Sequence, residues 1–205
     1  MFEAFQRNFP RDPGEYKKGG PLPDLPAIPG LREFLSAFGG ASFRNGLYRA
    51  IHAEDLEQWR SRVLFAFPQF KGRITCFGYD WMGSTFAVDS RRLEKGQPGV
   101  LLFEPGTSKV LEIPSNIQTF HNSGLVEFGE AALAISFYQK WITTGGAAPS
   151  YTQCVGYKVP LFLGGKDEVE NLELSDLDVY WHLMGQLIVQ TRDLPVGTRV
   201  RTKIK

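Results

Sequence analysis

Ile74-Thr75-Cys76-Phe77-Gly78-Tyr79-Asp80-Trp81-Met82-Gly83-Ser84-Thr85-Phe86-Ala87-Val88 is the stretch that decides the fold. Side chains alternate across a strand, so a period of two with β-branched and aromatic residues predicts strands at Ile74–Tyr79 and Thr85–Val88. Asp80-Trp81-Met82-Gly83 supplies the hairpin connection between them. Val100–Phe103 and Val110–Ile113 repeat the theme around Pro105-Gly106, giving an antiparallel meander.

Outward from the meander the period changes. Before it, Leu31–Phe38 reads as a short helix between Pro29-Gly30 and Gly39-Gly40, Asn45-Gly46 as a turn, and Leu47–Ile51 as a strand. Ala53–Phe67 reads as a helix with Leu56, Trp59, Val63 and Phe67 on one face and Glu54, Asp55 and Glu57 in its first turn. After it, Leu125–Thr143 has helical spacing, with Phe128, Leu133, Phe137, Trp141 and Ile142 as a buried stripe and Gly145-Gly146 as a stop. Val159–Leu163 reads as a strand broken by Gly164-Gly165. Ser175 reads as the N-cap of a last helix through Thr191, with Val179, Leu183, Leu187 and Ile188 inward and Pro195 ending it. The first 29 residues carry Pro10, Pro13, Pro21, Pro23, Pro26 and Pro29, and predict an extended arm wrapping the body. The expected fold class is α+β: an antiparallel-rich sheet covered by helices, with an extended proline-rich N-terminal arm.

The 205 residues are 42% hydrophobic, 22% charged and 13% aromatic, the proportions of a soluble globular chain. A formal charge of +1 supplies no global field for nucleic acid or an anionic membrane, so neither is an expected partner. The opening Met1-Phe2-Glu3-Ala4-Phe5 lacks the basic region and long apolar run of a signal peptide, which predicts a cytoplasmic protein. Cys76 and Cys154 read as buried reduced thiols.

His52, His121 and His182 lie on separate elements without metal-ligand spacing, so no metal or cofactor is expected. Gly164-Gly165-Lys166-Asp167 lacks the spacing of a phosphate loop and places an acid where a hydroxyl is needed. What stands out is Asp167, Glu168, Glu170, Glu173, Asp176 and Asp178 within twelve residues, followed by Arg199, Arg201, Lys203 and Lys205 in a basic tail. Such a segment is either a solvated loop and helix start or an acidic face that docks a basic protein.

Gly156-Tyr157-Lys158-Val159-Pro160-Leu161-Phe162-Leu163-Gly164-Gly165, Val169-Glu170-Asn171-Leu172, Asp178-Val179-Tyr180-Trp181 and Gly185-Gln186-Leu187 closely resemble the C-terminal domain of bacterial type VI secretion immunity proteins. Phe77–Gly83 and Phe103–Gly106 continue the likeness. Glu33-Phe34-Leu35, Phe38-Gly39-Gly40, Asn45-Gly46-Leu47-Tyr48 and Trp59 are similar to the GAD-like domain that precedes that module. The resemblance covers roughly residues 30 to 195 and implies a GAD-like part over 30–70 and an immunity-type α+β domain related to SUKH-type proteins over 71–195; the proline-rich arm over 1–29, which does not share the likeness, and the basic tail over 196–205 are read from the residues themselves. It also implies a non-enzymatic protein that binds and blocks a cognate toxin, some members of the family being paired with DNases. The six carboxylates are then the expected toxin-binding residues. The alternatives are a hydrolase with a Cys/His or Ser/His site and a housekeeping interaction module of the same fold; oligomeric state is left open.

Overall fold

In the computed structural model, which describes residues 1–14, 21–195, 197 and 198, the chain opens with a helix. Glu3–Asn8 (α1) lies before the first proline, and Phe2, Phe5 and Phe9 all point into the core. The expectation of an extended arm from the first residue is corrected there: three phenylalanines at spacings of three and four outweigh the prolines that follow. Residues 21–28 have no regular secondary structure and lay Leu22 and Leu25 against the body. Arg199, Arg201, Lys203 and Lys205 of the expected basic tail lie outside the described residues, as do Gly19 and Gly20.

Leu31–Phe38 (α2) stands as expected, followed by strands Ser42–Phe43 (β1) and Tyr48–Ala50 (β2). Leu56–Ala66 (α3) starts one 3-10 turn later than its first acidic residues and buries Leu56, Trp59 and Val63. The meander is Ile74–Asp80 (β3), Thr85–Glu94 (β4), Gln97–Glu104 (β5) and Lys109–Asn116 (β6). With β1 and β2 it makes a six-stranded antiparallel sheet in sequential order.

The expected Leu125–Thr143 helix is broken into pieces. Ile117–Thr119 (α4), a π-turn at Phe120–Gly124, Leu125–Glu127 (α5) and Gly129–Leu133 (α6) precede Ile135–Thr143 (α7). Ala134 adopts a left-handed conformation at φ 48° and ends α6. The break rotates the stripe, so Leu133 is buried while Phe128 is 63% exposed, against the expectation that both face inward.

A second sheet pairs Gln153–Tyr157 (β7) with Leu172–Asp176 (β8). No sequence signal had marked β7. The strand expected at Val159–Leu163 is instead a loop with a 3-10 turn at Leu161–Leu163, because Pro160 precedes it and Gly164 closes it at φ +87°. Leu177–Thr191 (α8) packs against α3. Its N-cap is Asp176 rather than Ser175: the Asp176 carboxylate accepts from Asp178 N (2.9 Å) and Val179 N (3.1 Å), while Ser175 lies within β8 opposite Cys154. Val179, expected inward, is 55% exposed, and Leu177, Tyr180, Trp181, Met184, Leu187 and Ile188 form the buried face.

The two sheets are joined through the β3–β4 hairpin. Trp81 Nε1 donates to Leu133 O (2.8 Å), Trp181 Nε1 donates to Gly83 O (2.8 Å), and Val155 N donates to Trp81 O (2.8 Å). Asp80 holds the turn by accepting from Met82 N (2.9 Å) and Ser84 N (2.8 Å), although burial pushes its carboxyl up to about 7. Beside it the fully buried Arg49 donates to Asp80 O (2.7 Å), Ser150 O (2.5 Å) and Gln153 O (2.6 Å), with its guanidinium 4.5 Å from the centre of the Tyr79 ring. Replacing Arg49 by Met removes the guanidinium donor from three carbonyls, of which Asp80 O and Ser150 O keep a backbone donor in Gly83 N and Gln153 N, and is expected to cost about 3 kcal/mol or more in urea denaturation. A cost below about 1 kcal/mol would mean that the contacts are incidental.

His121 lies on the other face of the sheet, to which Tyr48, the neighbour of Arg49 in β2, turns its ring. Gly78 lets the Tyr48 ring pass, since a Cβ there would lie 2.3 Å from the hydroxyl. Tyr48 Oη is 2.9 Å from His121 Nε2, and His121 Nδ1 is 2.7 Å from Ile117 O. A carbonyl can only accept, so Nδ1 carries the proton and Nε2 accepts from the tyrosine. Burial among Phe2, Phe5, Phe34 and Phe77 lowers the imidazole to about 3. The unfolded chain therefore binds a proton near pH 6.5 that the folded chain refuses, and this contribution to stability is lost as pH falls from 6.5 toward 3. His121→Phe is expected to remove that slope, about 1.4 kcal/mol per pH unit at its steepest. Parallel denaturation curves of the two proteins across pH 4 to 6.5 would refute the assignment.

Candidate toxin-binding face

The acidic segment lies on the loop and strand leading into α8, and local geometry fixes its course. Gly156 in β7 has no room for a side chain, as a Cβ would meet the Tyr180 ring at 2.3 Å. The 158–171 loop is tied at its neck by Asn171, whose amide donates to Val159 O (2.8 Å) and Lys166 O (2.9 Å) and accepts from Val159 N (3.0 Å). Gly164 N and Gly165 N are committed to Leu161 O and Pro160 O at 3.1 Å, so these amides do not form an anion cradle. The turn reading from sequence stands.

All six carboxylates are exposed, and they divide into two sets. Asp167 accepts from the Tyr157 hydroxyl (2.6 Å), Asp176 caps α8, and Asp178 pairs with Arg62 and accepts from Gln58 (3.2 Å). Glu168, Glu170 and Glu173 make no ion pair or side-chain hydrogen bond with any described residue. The structure thus gives three of the six residues an internal task and leaves three carboxylates directed at solvent.

Sequence reasoning missed the neighbouring groove. Arg62, Phe65, Asp178, Val179, Trp181 and His182 line a groove of about 440 Å³ between α3 and α8. Phe65 is 50% exposed and rests against Gly185, where a Cβ would lie 2.7 Å from its ring. Its signal was available: Phe65 is an aromatic residue that falls off the Leu56, Trp59, Val63 stripe, on the face of α3 that should be polar. Arg62 stacks 4.8 Å from the centre of the Trp59 ring and joins the groove to the acidic segment through Asp178.

The groups a hydrolase would need are placed apart. Cys76 is buried and its thiol is pushed up to about 12 by desolvation; burial raises Cys154 as well. His121 is spent on Tyr48 and Ile117, His52 Nδ1 accepts from Glu54 N (3.4 Å), and His182 lies on the exposed flank of α8 beside Gln186. Among the described residues no group of three or more His, Cys, Asp or Glu side chains could hold a metal ion, and no helix is long and apolar enough to cross a membrane.

Residues 115–188 match the family of the T6SS immunity protein Tdi1, C-terminal. The match runs from the end of β6 to the last buried turn of α8, and so contains β7, β8, the acidic segment and one wall of the groove. It supports the resemblance to type VI secretion immunity proteins over that stretch. The GAD-like likeness over 30–70 lies outside it and rests on sequence phrases alone. The chain is also similar to a solved structure, the crystal structure of Atu4351 from Agrobacterium tumefaciens, with a TM-score of 0.56 over 91% of this chain and 89% of that chain. At 15% identity this likeness shows the fold alone. No curated protein matches the sequence.

The Arg62–Asp178 pair tests whether this face is built for stability. Asp178 is 59% exposed, so solvent screens the pair and Asp178→Asn is expected to cost less than about 1 kcal/mol in chemical denaturation. A loss above about 2 kcal/mol would show the pair to be a structural bridge between α3 and α8.

Proposed function

We propose that this protein is a non-enzymatic immunity protein, acting in the cytoplasm, that binds a cognate toxin and neutralises it by occlusion. The observation that carries the reading is the family match over 115–188, the part of the chain that holds the acidic segment. The chemistry of that segment supports it: Glu168, Glu170 and Glu173 project their charge outward with no described internal partner. A toxin that acts on nucleic acid must present Lys and Arg to phosphates, and an inhibitor can engage that surface with carboxylates. A nuclease effector of type VI secretion is the proposed class of toxin. Buried thiols of raised pKa and the dispersal of the histidines favour binding over catalysis.

The test is co-expression with the toxin encoded beside it, together with binding kinetics. Reversing Glu168, Glu170 and Glu173 together to Lys is expected to slow association at least about tenfold at low salt and to weaken protection. The wild-type complex is expected to lose on-rate as the Debye length contracts toward about 8 Å, and the triple variant to show little of this dependence. A folded triple variant with unchanged affinity and salt dependence would place the interface elsewhere. Failure of the wild-type protein to protect against any toxin from its own locus would sink the immunity reading.

A further inference from the structure

The β7–β8 hairpin has one edge closed and one edge open. On β7, Gln153 N donates to Ser150 O (3.1 Å), Val155 N to Trp81 O (2.8 Å) and Tyr157 N to the Tyr180 hydroxyl (3.3 Å), all on the side away from β8. Antiparallel pairs alternate between bonded and non-bonded positions. The residues opposite these three, Asp176, Leu174 and Leu172, therefore turn their backbone groups away from β7 as well, toward the outer edge of β8. Leu172 N is used by the preceding 3-10 turn, where it donates to Val169 O. Leu172 C=O, Leu174 N–H and C=O, and Asp176 N–H have no hydrogen-bond partner among the described residues. Leu174 is partly exposed, and Glu170, Glu173 and Asp176 are exposed around it.

We propose that the outer edge of β8 accepts an added strand from the partner, an extended segment in which Lys or Arg alternates with apolar residues. This inference rests on the immunity reading and names how the toxin is held. Four free backbone groups over five residues match the ladder that one incoming strand makes, which gives affinity without sequence demands. Specificity comes from charge. An open edge is an aggregation hazard that acidic side chains blunt, and here the same carboxylates select a basic strand. A second copy adding its own β8 would set acidic edge against acidic edge, so self-pairing is disfavoured.

The experiment uses the full chain and, as probes, hexapeptides of alternating lysine and valine or of alternating glutamate and valine. The basic peptide is expected to slow exchange of the Leu174 and Asp176 amides at least about tenfold, and the acidic one to leave them unchanged. Leu174→Pro removes the outward N–H at an edge position that tolerates proline and is expected to abolish this protection. Should that variant unfold, the Glu170→Lys, Glu173→Lys double variant keeps the backbone intact and is expected to bind the acidic peptide instead. Protection of both peptides alike, of neither, or at the α3/α8 groove alone overturns the proposal. In cells the two readings separate. A wild-type protein that fails to protect refutes the immunity function while the peptides still decide the edge. A wild-type protein that protects, with a folded Leu174→Pro variant protecting equally, refutes only the strand addition.

Discussion

A buried guanidinium is the constraint on which the arrangement depends. Arg49 is the middle residue of β2, the strand beside the edge strand β1, with no exposure to water, and no carboxylate lies within ion-pair distance among the described residues. Its charge is met by three carbonyl oxygens and the face of Tyr79. Those carbonyls belong to the end of β3 and to the 150–153 segment entering β7, so desolvating one cation requires that the two sheets be held in one relative position. The Asp80 turn, Trp81 and Trp181 then find their partners at fixed distances. The geometry of the acidic face follows from this clasp, because β8 is placed by its pairing with β7 and its contact with α8.

The opposite face of the sheet is set by aromatic packing around one neutral histidine. Phe5 lies 5.0 Å and Phe34 4.0 Å from the ring of His121, which is buried within the π-turn at Phe120–Gly124. Helix α1 is held there by tertiary contact rather than by its own propensity, since six residues are too few to be helical alone. The N-terminal segment is thus part of the core: buried apolar residues from Phe2 to Ile188 form one connected cluster.

What could be read from the sequence was what short-range periodicity encodes. Ile74–Asp80, Thr85–Glu94 and the two strands after them alternate on one face and end in turn residues, so β3 to β6 were legible, as were α2, α3 and α8. Strand β7 was not, because Gln153-Cys154-Val155-Gly156-Tyr157 is buried on both sides and contains a glycine whose reason is the Tyr180 ring, distant in sequence. The interruption at Ala134 was equally hidden, since alanine is a strong helix former and only tertiary context places it at positive φ. For the candidate site, composition exposed the acidic cluster but could not separate its members. Asp167, Asp176 and Asp178 are engaged by Tyr157, the α8 N-terminus and Arg62, and each partner is visible only in three dimensions.

That division would let one short segment serve both the fold and the proposed partner. The capping and paired aspartates stabilise the start of α8 and its contact with α3, so the loop bearing the glutamates is anchored at both ends, by Asn171 at its neck and by Asp176 at its exit. A charged loop anchored in this way loses little conformational entropy when a basic surface arrives, and more of its electrostatic attraction survives as affinity. The free carboxylates remain hydrated until then, with no internal cation among the described residues to be displaced. Internal neutralisation of Glu168, Glu170 and Glu173 would have made the segment more stable and less able to bind, which is the trade expected where a surface is kept for recognition rather than for folding.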